Sequence, residues 1–157
     1  MDKIIFSVRP TKVQNCVAVF SYALPDDRGC CRLLSVSWNK EAPSFSKKVS
    51  LQEAPMEITY RQGVMPEEMQ MWVKAGCEVR DISRIDLSFE KFWEVYGNKV
   101  GNKKGCEKKW NALEAHDRLL AIGVIPRMQR YYTEKRIDNM PYPETFLNQR
   151  RWENLFE

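Results

Sequence analysis

Hydrophobic residues change their period once along this chain, and that one change demands two kinds of structure in succession. Up to about residue 62 the apolar side chains recur at every second position or run unbroken; from Ser88 onward they recur at spacings of three and four. Ile4, Phe6 and Val8 alternate, and Cys16 to Tyr22 is a continuous β-prone run expected to be buried on both faces. Pro25-Asp26-Asp27-Arg28-Gly29 has turn composition with a left-handed glycine at its end. It joins that run to a strand expected to carry Arg32, Leu34, Val36 and Trp38 on one face. Shorter strands are expected at Phe45 to Leu51 and at Glu57 to Arg61, completing a meander of four or five antiparallel strands. Pro66-Glu67-Glu68 then suits a helix start, and Met69, Trp72 and Val73 suit the inward face of a helix that Gly76 can end. Cys77 to Ile85 reads equally as a last strand or as a connector.

The second half is helical and aromatic. Ser88 is placed to cap a helix whose Phe89, Phe92, Trp93 and Tyr96 make one apolar stripe. Asn102 can cap a second helix with Cys106, Trp110 and Leu113 inward. A third, from about His116 to Tyr132, aligns Leu120, Val124, Met128 and Tyr131 and should kink at Pro126. Pro141-Tyr142-Pro143 leads into a short turn at Glu144 to Asn148, after which Trp152 and Phe156 can fold back. Eleven of the eighteen aromatic residues lie between Ser88 and Phe156, enough for a separate small core. The expected class is α+β: an antiparallel β-rich module with one helix at residues 1–80, a linker at 81–87, and a small three-helix module at 88–157.

Composition excludes several functions. No apolar run approaches the roughly 18 residues of a membrane span, and the first twenty residues lack the features of a signal peptide. The expected setting is cytoplasmic. Five cysteines, odd in number and irregularly spaced, read as reduced thiols. One histidine and the absence of paired Cys or His ligand spacings argue against a metal site. No phosphate-binding loop, dinucleotide fingerprint or nucleophile elbow occurs, so no cofactor is expected. Asp26 and Asp27 sit in a turn, and Glu67 and Glu68 at a helix start, where carboxylates have structural reasons to be. Cys106 with His116 is the remaining nucleophile and base pair, but Cys106 falls on an inward stripe. The expectation is a non-enzyme.

What remains is basic. The chain carries 25 Lys and Arg against 21 Asp and Glu, a net +4, so clustering matters more than the total. Lys99, Lys103, Lys104, Lys108 and Lys109 form the densest cluster, and Arg150 and Arg151 follow later. These seven residues are the candidate nucleic-acid contacts, set against an ordinary solvated face. Tyr132 with Lys135 and Arg136 is a further candidate contact.

The ordered landmarks of residues 88–156 add a resemblance. Phe89-Glu90-Lys91-Phe92-Trp93-Glu94-Val95-Tyr96, then Lys99-Val100-Gly101 with Lys103-Lys104, then Cys106, Trp110 and Leu113, Ile125-Pro126 before Tyr131, and Pro143-Glu144-Thr145-Phe146-Leu147-Asn148 with Arg151-Trp152-Glu153 resemble a C-terminal domain of replication-initiation proteins of phages and mobile elements. That resemblance implies a helical module of replisome-organiser type, contacting DNA or the replicative helicase and its loader. Such proteins usually carry a winged helix in front, and no helix-turn-helix is recognisable here. The function expected is a non-enzymatic accessory factor in phage or mobile-element DNA replication, binding DNA backbone, a replisome protein or both. The alternative is a structural or interaction protein of a phage or defence system that does not bind nucleic acid. Edge strands of the β-module leave self-association open.

Overall fold

The computed structural model describes residues 2–13, 16–39 and 54–154. The chain divides into two compact units, Met1–Ile85 and Asp86–Glu157, and the fold is α+β.

The first unit is a five-stranded antiparallel sheet. Its strands are β1 (Ile4–Pro10), β2 (Ala18–Tyr22), β3 (Cys30–Trp38), β4 (Glu57–Thr59) and β5 (Cys77–Asp81), in the order β4-β3-β2-β1-β5. All five residues of β2 are buried, as the unbroken apolar run predicted. Asp26 builds the β2–β3 turn: its Oδ1 accepts from the backbone N–H groups of Arg28 and Cys30, both at 2.9 Å, and Gly29 takes φ +79°. Those two donors, Cys30 first, hold the Asp26 carboxyl below the usual aspartate range.

β3 departs from the expected alternation. Tyr22 pairs with Leu33 and Ser21 with Ser35, so Leu34 is an extra residue in the ladder. This bulge moves the packing face from Cys31 and Leu33 to Val36, and leaves Leu34 59% exposed. A strict period of two cannot survive an inserted residue. Cys77–Asp81, open between strand and connector in the sequence, is a strand paired with β1 from Phe6↔Asp81 to Pro10↔Cys77. The expected strand at Phe45 to Leu51 lies outside the described residues. The one helix among the described residues of this unit is a 3-10 turn at Glu67–Met69 continuing into α1 (Gln70–Lys74), and its Trp72 meets Phe20 edge-on at 5.3 Å.

The second unit has four helices: α2 (Phe89–Tyr96), α3 (Lys103–Ala112), α4 (Ala115–Glu134) and α5 (Pro143–Asn148), followed by a 3-10 turn at Arg151–Glu153. The caps fall where the sequence puts them. Ser88 Oγ accepts from the Lys91 N–H at 3.2 Å, Asn102 Oδ1 from the Gly105 N–H at 3.0 Å, and Gly97 ends α2 at φ +77°. α4 is one helix with Pro126 inside it, as the sequence pattern predicts; Pro126 is exposed, where solvent can replace the missing backbone hydrogen bond. The expected turn at Glu144 to Asn148 is a short fourth helix, with Pro143 in its first turn.

Aromatic rings fill this core. Phe92 stacks on Trp110 at 4.5 Å, and Phe146 contacts Phe92, Tyr96 and Trp152. Their polar atoms are satisfied: Trp110 Nε1 donates to the Leu87 carbonyl at 3.0 Å and the Tyr96 hydroxyl to the Pro141 carbonyl at 2.6 Å. Phe156 lies outside the described residues.

Candidate nucleic-acid interface

An α-helix turns about 100° per residue, so a run of lysines cannot share one face. On α3, Cys106 and Trp110 are fully buried and fix the inward direction. Lys104 and Lys108, one turn apart, therefore point away from the core, and both are exposed. Neither forms an ion pair with a carboxylate among the described residues, and the same holds for the exposed Lys99 in the preceding loop.

The flanking lysines fare differently. Lys103 leans toward α2, its Nζ 5.9 Å from the centre of the Trp93 ring. Lys109 leans toward α5 and pairs with Glu144 at 2.9 Å. The five lysines thus separate into an outward trio, Lys99, Lys104 and Lys108, and two that contact neighbouring helices.

Arg150 and Arg151 separate as well. Arg150 sits in the left-handed region at φ +47° and anchors the end of the unit. Its Nη2 contacts Asp117 Oδ1 and its Nε contacts Glu153 Oε1, each at 2.6 Å, and its guanidinium lies 5.0 Å from the Trp152 ring centre. Burial works against the Arg150 cation, and the two carboxylates outweigh it, so its pKa rises. Asp117 is buried and also accepts from Trp152 Nε1 at 3.2 Å. Arg150 is therefore spent on the fold.

Arg151 makes no contact with a carboxylate among the described residues. Its Nε donates to Gln149 Oε1 at 2.9 Å and its Nη1 to the Tyr132 hydroxyl at 3.3 Å. That contact ties Tyr132 to Arg151, whereas Lys135 lies over Tyr131. Arg151 and Tyr132 line a groove of about 940 Å3 within this unit, together with Asn98, Gln129, Asp138 and Tyr142. These groove residues come from separate segments, so no local spacing announces them.

Cys106 and His116, the pair considered for nucleophilic chemistry, are both buried. Cys106 lies in the aromatic core, where burial pushes its thiol pKa up. His116 is buried on α4 with Nδ1 3.3 Å from Glu114 and Nε2 3.4 Å from Asp117. Burial lowers its pKa despite those carboxylates. No group of three or more His, Cys, Asp or Glu side chains among the described residues could hold a metal ion. No helix among them is long and apolar enough to cross a membrane.

The family comparison falls on this unit. The model of the Legionella vir region protein LvrA C-terminal domain matches residues 84–150. No curated protein matches the chain, and no solved structure does. The match corrects the resemblance to replication-initiation proteins. Its landmarks Phe92, Tyr96, Trp110, Phe146 and Trp152 are buried core residues, and Trp93 is packed against them. Core aromatics at helical spacing report how a module packs, and modules of different families share that pattern.

Proposed function

We propose that the helical unit is a non-enzymatic binding module whose outward α3 face contacts the phosphate backbone of DNA. One observation carries this reading: Lys104 and Lys108 project from the same face of α3 without a carboxylate partner among the described residues, with Lys99 exposed in the loop before them. Unpaired ammonium groups along a helix can follow a phosphate row, and they read charge rather than base sequence. A cytoplasmic setting suits the five free cysteines of the chain. The proposal assigns no replication role, because the resemblance that implied one has given way to the vir-region match.

The test uses the intact chain with labelled double- and single-stranded DNA at about 50 and 200 mM salt. Each phosphate contact contributes a slope of about 0.9 in log affinity against log salt. Replacing Lys104 and Lys108 together by alanine removes about two such contacts, hence a slope of about 1.8. Absence of binding at low salt, or a slope unchanged in the double variant, overturns the reading.

A protein partner is the second reading, favoured by a different observation. Leu34, put outward by the β3 bulge, and Met56 are 59% and 73% exposed, and the Met56 carbonyl accepts from the Leu33 N–H at 2.8 Å beside that bulge. A second copy of the chain belongs to this reading. A complex that forms without DNA and is lost in Leu34→Asp identifies it.

A further inference from the structure

The groove beside Arg151 stands apart from the lysine face, and its chemistry is more selective. Arg151 is the one cation among the described residues that line it, and Asp138 lines it as well. A near-neutral site suits a ligand with a single acidic group better than a polyanion.

Two amides line the same groove. Asn98 Nδ2 donates to the Met140 carbonyl at 3.3 Å, and Gln129 Nε2 to the Val95 and Tyr96 carbonyls at 3.0 and 3.3 Å. Backbone carbonyls accept only, so these contacts fix which end of each amide is nitrogen. Both side-chain oxygens are left without a partner among the described residues, as acceptors for a donor on the ligand. Tyr142, 56% exposed, and Tyr132 supply aromatic surface to the groove. The volume of about 940 Å3 falls within the size of small-molecule sites, roughly 300–1,000 Å3.

We propose that this groove binds a nucleoside monophosphate whose base carries an exocyclic amine, the phosphate on Arg151, the base against Tyr142 and the amine on the oxygens of Asn98 and Gln129. A guanidinium is the side chain that grips phosphate through paired N–H groups. Adenine and cytosine present amine donors, and a tyrosine face stacks any base. The ligand is a free nucleotide or the phosphorylated end of a single strand.

Calorimetric titration of the intact chain with adenosine monophosphate tests this, with amide NMR of Asn98 and Gln129 reporting the site. Saturable binding is expected, weaker by about tenfold or more for adenosine, which lacks the phosphate, and for inosine monophosphate, which lacks the amine. Arg151→Gln should lower affinity about tenfold or more, and Tyr142→Ala, an exposed site where folding is not at stake, about fivefold or more. A 5′-phosphorylated trinucleotide that binds as well as the monomer identifies a strand end; preference for the monomer identifies a free nucleotide, and either result supports the site. Failure to saturate, equal binding of the inosine compound, tighter binding of free tyrosine, or indifference to Arg151→Gln overturns it. The lysine double variant keeps its affinity for the nucleotide if the two sites are separate; loss there places the phosphate on α3 and overturns the groove.

Discussion

Lys108 and Lys109 are neighbours in the chain and meet opposite fates. Lys108 is exposed and unpaired among the described residues, whereas Lys109 is drawn to Glu144 at 2.9 Å. Arg150 and Arg151 repeat the contrast: the first grips Asp117 and Glu153, and the second touches only neutral oxygens among the described residues. Successive side chains on a helix or tight turn leave in different directions, so a basic dipeptide is two separate electrostatic problems. Counting basic residues in a run overstates a binding site, because some of those charges are already engaged.

Removing the carboxylate that holds a committed cation should have the largest effect. Asp117→Ala leaves Arg150 with Glu153 alone and the Trp152 indole N–H without its acceptor, and should destabilise the helical unit by roughly 2 kcal/mol in urea titration. Arg151→Gln should cost less than about 1 kcal/mol, Arg151 having no ion pair among the described residues. Similar midpoint shifts in the two variants would show that the two arginines are not different in kind.

Acid probes the same buried cluster. His116 is the only histidine, and burial depresses its folded pKa below the unfolded 6.5. Below that unfolded value the unfolded chain binds a proton that the folded chain refuses, so stability falls as pH drops from about 6.5 toward the folded pKa, by at most about 1.4 kcal/mol per pH unit. Denaturation series between pH 7 and 5 should show this slope, and His116→Gln should flatten it. A slope retained in that variant would move its origin elsewhere.

Smaller effects separate the lysine neighbours. Lys109→Ala should cost up to about 1 kcal/mol of stability through its half-exposed pair with Glu144 and leave the salt slope for DNA unchanged. Lys108→Ala should leave stability within about 0.5 kcal/mol and lower that slope by about 0.9. The comparison fails if the two substitutions exchange these signatures.

Most of the architecture was legible because it rests on local rules. Ser88, Asn102 and Gly97 act at helix ends through contacts within a few residues, and β2 announces its double burial by an unbroken apolar run. Leu34 defeats that reading, since a bulge is decided by pairing with β2 rather than by β3 alone. The outward direction of Lys104 and Lys108 follows from helical spacing once Cys106 and Trp110 are inside. The commitment of Lys109 and Arg150 does not, because Glu144 and Asp117 lie more than thirty residues away in the chain. The groove was invisible for the same reason, and the family resemblance misled because it was built on packing residues.

The position of β5 carries a consequence for how the protein is made. β1, near the N-terminus, lies between β2 and β5, and its second edge is closed only when Cys77–Asp81 arrives. Synthesis runs from the N-terminus, so until Cys77–Asp81 emerges no described strand covers that edge of β1, a largely apolar margin onto which another nascent chain could add a strand. The final strand is complete only five residues before the helical unit begins at Asp86. A ribosome pausing before Cys77 would hold out a sheet with an open seam; one pausing after Asp81 would hold out all five of the described strands.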